Sequence, residues 1–262
     1  IEKSITNKTI AVIIVHFAGM PCDMGDIIKL IKKYKIELIE DSAETLGGKW
    51  KNKYTGSFGV GCFSFFPTKN ITTAEGGMLT TNSFKKYKTV KRIIAHGINK
   101  DIKKHFWHRE ADLPGHNFRM PNHLAALGIN QLKQLKKFNN ARRRIAKKYD
   151  NFLIKFNKLF EVQKVLKNFV HSYQMYTFLV KGNKRNSLLY FLKKNNIEAS
   201  AHFDPPLHKQ NYLKKFNKYK LKNTELLSKQ IITLPIYPSL KKSETDIILN
   251  TINKWCKKNE KK

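Results

Sequence analysis

The chain has 262 residues, enough to bury the core of one domain or two, and its 41% hydrophobic content suits a globular protein. Basic residues outnumber acidic ones 51 to 19, a formal net charge of +32. The lysines recur along the whole chain, as at Lys32-Lys33, Lys136-Lys137 and Lys241-Lys242, without a zinc finger, an aromatic RNA platform or a basic zipper. This argues against a dedicated nucleic-acid partner and leaves only non-specific polyanion binding at low salt.

No apolar run approaches the ~18 consecutive residues of a membrane span, and no signal-peptide pattern is present. Cys22, Cys62 and Cys256 stand far apart, with no histidine at metal-ligand spacing. The expectation is a cytoplasmic protein with no membrane association, no disulfide scaffold and no metal site.

Ile10 to Val15 is rich in β-branched residues and predicts a buried strand. A turn at Gly19-Met20-Pro21 leads into an apolar-periodic segment, Met24 to Tyr34, that predicts a helix. Ile36 to Ile39 predicts a second strand, ending at Glu40-Asp41. Strand, turn, helix and strand over about 30 residues make the βαβ pattern of a parallel sheet. The carboxyl ends of such strands are where α/β proteins carry their chemistry, which singles out Asp41.

Gly56 to Phe65 is glycine-spaced and then aromatic. Pro67-Thr68-Lys69-Asn70 must leave the strand, because proline has no N–H for a central ladder. Ala74 to Thr81 reads as a tight turn entering a short strand, and Ser83 to His96 as a helix capped by Ser83 and stopped at Gly97. From Asn99 to Pro121 periodicity is lost, and that stretch is either disordered or a functional loop.

Helical spacing resumes over Leu124 to Leu135 and over Ala141 to Phe156, the second being a natural spine between two domains. Beyond residue 157 the pattern is that of a smaller α/β unit. Its elements are a strand over Tyr173 to Val180, a helix over Ser187 to Lys194, a short strand over Ile197 to Ser200, an irregular segment from Ala201 to His208, a strand over Ile231 to Leu234, and a closing helix over Glu244 to Cys256.

Several residue types in this pattern carry chemistry. Phe63, Phe65, Phe66 and Pro67 would surround the stem of Lys69 with apolar groups, and an amine there is more readily freed of its proton to attack an aldehyde. His202 and His208 flank Pro205-Pro206 as a conceivable metal pair, but no third ligand has suitable spacing. His16, after the first strand, either points into a site or is a packed or capping histidine.

The segments IEDSAETLGGKW, GSFGVGCFSFFPTKNITTAEGGMLTTN, HNFRMPNHLAALGINQL, HFDPPLH and LPIYP follow one another in the order seen in the DegT/DnrJ/EryC1/StrS family of sugar aminotransferases, which the chain resembles from Val12 to its C-terminus. The resemblance implies an α/β, fold-type I pyridoxal-phosphate transferase. Its large domain would be partial, over residues 1–134, with a linking helix over 135–156 and a small C-terminal α/β domain over 157–262. Lys69 would be the lysine that carries pyridoxal 5'-phosphate and moves the proton. Asp41 would partner the pyridine nitrogen, Glu44 would lie beside the cofactor ring where many members have glutamine or histidine, and Ser64 would bind the phosphate. Asn117 would reach the cofactor phosphate of the other subunit, which implies a homodimer. Arg119 and His202 would lie on the substrate side.

The activity so implied is movement of an amino group from an amino acid, with glutamate as the expected donor, to a nucleotide-linked keto sugar, in polysaccharide biosynthesis. The family's upstream phosphate loop has no counterpart after Ile1, so the resemblance also implies a member lacking its N-terminal part. The alternative is a truncated, non-catalytic scaffold or gene fragment. A sugar dehydratase is disfavoured, because such relatives replace the lysine present here as Lys69.

Overall fold

The computed structural model describes residues 1–99, 105–216 and 220–259. The chain divides into two compact units, Ile1–Leu135 with Asn168–Val170, and Lys136–Lys167 with His171–Lys262. In chain order the regular elements are β1 (Ala11–Val15), α1 (Met24–Tyr34), β2 (Glu37–Asp41), β3 (Lys49–Trp50), β4 (Lys53–Tyr54), β5 (Val60–Ser64), β6 (Gly77–Thr80), α2 (Phe84–Ile93), α3 (Asn122–Leu153), β7 (Phe160–Val162), β8 (Phe169–Val170), β9 (Tyr176–Val180), α4 (Arg185–Lys194), α5 (Lys222–Gln230), β10 (Ile231–Leu234) and α6 (Lys242–Asn259). No helix among the described residues is long and apolar enough to cross a membrane.

In the first unit a four-stranded sheet has the order β1-β2-β5-β6. Strands β1, β2 and β5 are parallel, and β6 is antiparallel to β5. The helix between β1 and β2 forms as its periodicity requires. Asp23 caps it by accepting the Gly25 N–H at 3.1 Å, and Lys35 ends it in the left-handed conformation. Met24 on this helix packs with Ile14 of β1 and Leu38 of β2 to form a small buried core, bordered by Ile27, Ile28, Ile31 and Trp50. The βαβ reading is therefore correct. The short strands β3 and β4, which no alternation announces, form a second sheet with β8.

The second unit has the larger core. A three-stranded antiparallel sheet, β10-β9-β7, is lined by Phe160, Tyr176, Phe178, Ile232 and Leu234, and the helices bring Tyr149, Leu153, Leu188, Leu192, Ile252 and Trp255 against it. Each fully buried side chain of this size contributes about 1.5–3 kcal/mol. Polar tips inside the core find partners: Tyr149 donates to the Pro235 carbonyl at 2.8 Å, and Tyr176 to Asp150 at 2.6 Å. Arg142 donates through Nη1 to the carbonyls of Tyr173, Gln174 and Ile236, and burial pulls its guanidinium down to about 10.

Several expectations change: in the strand predicted as buried, Ile14 is covered but Ile10, Ile13 and Val15 are exposed. The two predicted helices, Leu124 to Leu135 and Ala141 to Phe156, are one helix, α3, followed by a 3-10 turn over Ile154–Phe156. The intervening Lys136-Lys137-Phe138-Asn139-Asn140 holds no proline or glycine to interrupt the backbone ladder. The predicted strand Ile197 to Ser200 reduces to an isolated bridge between Ser200 and Thr233. The long irregular stretch, described from residue 105 on, is ordered, because Ile98 bridges Ala111 and Ala95 bridges Asn117; residues 100–104 of it lie outside the described residues.

His171 is buried beneath this packing. Its Nδ1 accepts the Tyr173 N–H at 2.9 Å and its ring stacks on Tyr173 with centroids 3.7 Å apart. Burial, assisted by the nearby Arg143 charge, pushes the imidazole down to about 3. The unfolded chain therefore takes up a proton that the folded chain refuses. The associated stability is complete above the ordinary value of 6.5 and is lost progressively as pH falls from there towards 3. Urea denaturation at stepped pH should show wild-type stability falling through this window. His171→Gln should be less stable at neutral pH but flatter below 6.5; parallel curves would exclude His171 as the titrating group.

Candidate active site

Glu40 occupies the inward parity of β2, next to Leu38, and no part of it reaches solvent. An isolated buried carboxylate is untenable, and this one is satisfied fourfold. Oε1 accepts the backbone N–H groups of Phe58 at 2.7 Å and Gly59 at 2.8 Å, while Oε2 accepts that of Gly56 at 2.8 Å and faces His16 Nε2 at 3.1 Å. Burial raises the carboxyl's affinity for a proton, but the bonds from His16, Gly56, Gly59 and Phe58 together outweigh it and hold the group below the ordinary range. Only glycine suits two of these donors. Gly56 has φ +78, and a Cβ on Gly59 would stand 2.3 Å from the Leu38 carbonyl oxygen.

Asp41 follows on the opposite face of β2, and its neighbour across the sheet is Cys62. The Asp41 carbonyl accepts the His16 N–H at 3.1 Å, and Oδ1 accepts the Ala43 N–H at 3.1 Å, closing a turn. Among the described residues Oδ2 makes no hydrogen bond and remains available as an acceptor. Burial, and then the Asp41 charge, push the Cys62 thiol up.

The turn from Asp41 delivers Glu44, whose Oε2 accepts the Ala18 N–H at 2.7 Å and whose Oε1 lies 3.9 Å from Lys69 Nζ. Both side chains are largely buried, at 18% exposure for Lys69 and 14% for Glu44. Lys69 belongs to the connection between β5 and β6, which is clasped at its neck. Phe65 N–H donates to the Gly76 carbonyl, and the Phe65 carbonyl accepts both the Thr73 N–H and the Thr72 hydroxyl. Of the aromatic residues expected around Lys69, Phe65 is buried but Phe66 is exposed. The group found beside the amine is the Glu44 carboxylate.

Ser64 closes β5, and its Oγ accepts the Phe66 N–H at 3.3 Å. Asn117 and Arg119 are exposed, and their side chains make no hydrogen bond or ion pair among the described residues. His202 belongs to the second unit, where Nδ1 lies 2.9 Å from Thr233 Oγ1 and 3.2 Å from Ser200 Oγ; His208 meets Glu225 at 3.2 Å. Lys69, Glu44 and Asp41 thus share one neighbourhood in the first unit, reached from the C-terminal ends of β2 and β5.

Sequence reading missed Glu40 and left His16 undecided. The available signal was parity: a strand whose alternation buries Leu38 must bury Glu40 too, and a buried acid demands donors.

The architecture defines a mixed α/β protein with the fold of known sugar aminotransferases. Residues 1–253 match the sequence profile of the DegT/DnrJ/EryC1/StrS aminotransferase family, to which the chain belongs. The chain is 37% identical to GDP-perosamine synthase of Escherichia coli O157:H7, over 97% of its own length and 68% of that protein. Among solved structures it is similar to Helicobacter pylori PseC, an aminotransferase involved in pseudoaminic acid biosynthesis, with 31% identity and a TM-score of 0.89 over 97% of this chain and 68% of the other. It is also similar to the PLP form of the putative sugar aminotransferase Spr1654 of Streptococcus pneumoniae, with 26% identity and a TM-score of 0.88 over 98% and 71% of the two chains. The chain therefore spans about two thirds of the length of these relatives.

Glu40→Gln should cost about 2–4 kcal/mol at neutral pH, since an amide nitrogen would then face backbone donors. A folded-state value held below 4.5 means that the carboxylate's contribution is complete above 4.5 and is lost as pH falls through the folded value. The gap between wild type and variant in denaturant titrations should narrow below pH 4.5, and a gap independent of pH would contradict an ionised Glu40.

Proposed function

We propose that the chain performs the amino-transfer chemistry of its family with pyridoxal 5'-phosphate, moving an amino group from an amino acid, glutamate being the expected donor, to a keto sugar carried on a nucleotide. The observation that carries this reading is the Lys69 amine, set 3.9 Å from Glu44 beside the turn that begins at Asp41. The similarity to GDP-perosamine synthase supports a sugar nucleotide as the acceptor.

The residues present fit the cofactor. Asp41 offers an unoccupied carboxylate oxygen, the acceptor that a protonated pyridine nitrogen requires. The Ser64 hydroxyl carries only one 3.3 Å contact, from the Phe66 N–H, and has donor capacity left for a phosphate oxygen. Lys69 supplies the amine for covalent attachment. When bound, pyridoxal phosphate supplies an electron sink for the carbon whose proton is removed.

Asp41 acts by keeping a negative charge at the ring nitrogen, and its Oδ1 bond to the Ala43 N–H orients the other oxygen. Lys69 takes a proton at Nζ and returns it, with Glu44 steadying the amine between the two events. Asn117 and Arg119, both exposed, are assigned to a site shared with a second subunit.

Incubation with pyridoxal phosphate followed by borohydride should fix one equivalent of cofactor on Lys69, mapped by peptide mass spectrometry. A label mainly on another lysine overturns the reading. Asp41→Asn retains an oxygen for the Ala43 N–H and should fold, but should lose about a hundredfold or more in glutamate-dependent amino transfer. A nearly unchanged rate would remove Asp41 from its role.

A further inference from the structure

We propose that His16, through Glu40, is the positioning residue that holds the Glu44 carboxylate against Lys69. This rests on Lys69 being the reactive amine. The His16 ring is completely buried at the end of β1. Its Nδ1 accepts the Cys22 N–H at 3.0 Å, so the ring proton sits on Nε2 and is donated to Glu40 Oε2 at 3.1 Å. The chain between these two anchors makes a tight reversal. Ala18 there has φ 58 and Gly19 φ 102, and the Met20 N–H returns to the Phe17 carbonyl at 2.9 Å.

Alanine in the left-handed region costs on the order of 1 kcal/mol, so Ala18 keeps this conformation only while its surroundings impose it. The consequence lies at its N–H, which donates to Glu44 Oε2 at 2.7 Å and turns Oε1 towards Lys69 Nζ. The two bonds of the imidazole have different tasks. The one from Cys22 holds the loop to the ring; the one to Glu40 holds the ring to the sheet. The second sets the ring against a fixed partner, because Glu40 is itself immobilised by the N–H groups of Gly56, Phe58 and Gly59, and it adds to the His16 N–H bond to the Asp41 carbonyl at 3.1 Å. Without it the left-handed Ala18 loses part of what imposes its conformation, and the bond from its N–H to Glu44 Oε2 weakens.

Three substitutions separate these tasks. His16→Leu removes both bonds, His16→Asn keeps an acceptor for the Cys22 N–H, and His16→Gln keeps a donor at reach for Glu40. Leu38→Ala, in the adjoining core, serves as a control for simple loss of stability. The readout is the acetylation rate of Lys69 in the cofactor-free chain, well below the melting temperature, relative to Lys29, whose side chain is 82% exposed. His16→Leu and His16→Asn should raise the Lys69 rate about two- to fivefold, the weight of one ion pair at a partly buried site. His16→Gln and Leu38→Ala should leave it near the wild-type value.

Equal rates in Asn and Gln variants, or a rise in Leu38→Ala matching that of His16→Leu, overturn the proposal. If His16→Leu does not fold, the Asn and Gln pair decides alone. Because no cofactor is used, a failure of this measurement is told apart from a failure of pyridoxal phosphate to attach at Lys69, which would overturn the proposed function instead.

Discussion

Glu40 is a negative charge sealed away from water, and the first unit is arranged around the need to satisfy it. Three backbone N–H groups from Gly56, Phe58 and Gly59 must converge on one carboxylate, which bends the approach to β5 tightly against the end of β2. Such convergence is possible only where glycine permits a positive φ or a close backbone approach, and Gly56 and Gly59 stand at those places. The same carboxylate takes the imidazole of His16 and so ties in the end of β1. Asp41, the next residue, inherits this rigidity on the other face of the strand, which suits the role proposed for it at a cofactor nitrogen.

The two units draw their stability from different sources. The second is a conventional apolar core of aromatic and aliphatic residues in which the tyrosine hydroxyls of Tyr149 and Tyr176 are given partners, Pro235 and Asp150. The first has a small apolar cluster of Ile14, Met24 and Leu38, with Phe65 and Ile71 buried beside its loops, and charge-assisted hydrogen bonds hold those loops. Precision of placement suits a site, and short bonds from fixed backbone donors supply it better than packing of flexible side chains.

The net charge of +32 has a simple structural counterpart. With 19 acidic side chains for 51 basic ones, most cations have no carboxylate to meet, and pairs such as Lys29–Asp26 and Lys86–Glu37 lie at the surface, where they are worth little. The acids that matter are the few withdrawn from the surface, Glu40 above all. Lys69, the lysine proposed to react, has a carboxylate neighbour and restricted exposure.

The sequence by itself determined the elements whose periodicity is local. Helix α1 and strand β10 have the predicted bounds, and the βαβ order is right, because side-chain alternation and capping act over a few residues. It also singled out Asp41, by its place at the end of a strand, and Lys69, among aromatic neighbours, while Glu44 and Ser64 became candidates only through the family resemblance. Tertiary structure alone decided which groups meet. Lys69 and Glu44 are 25 positions apart, and Glu40 and Gly56 are 16 apart, so their contacts depend on how the sheet returns on itself. The role of His16 was undecidable in one dimension for the same reason. An imidazole after a strand reads alike whether it faces a site or a buried carboxylate, and only the fold brings the second partner within 3.1 Å.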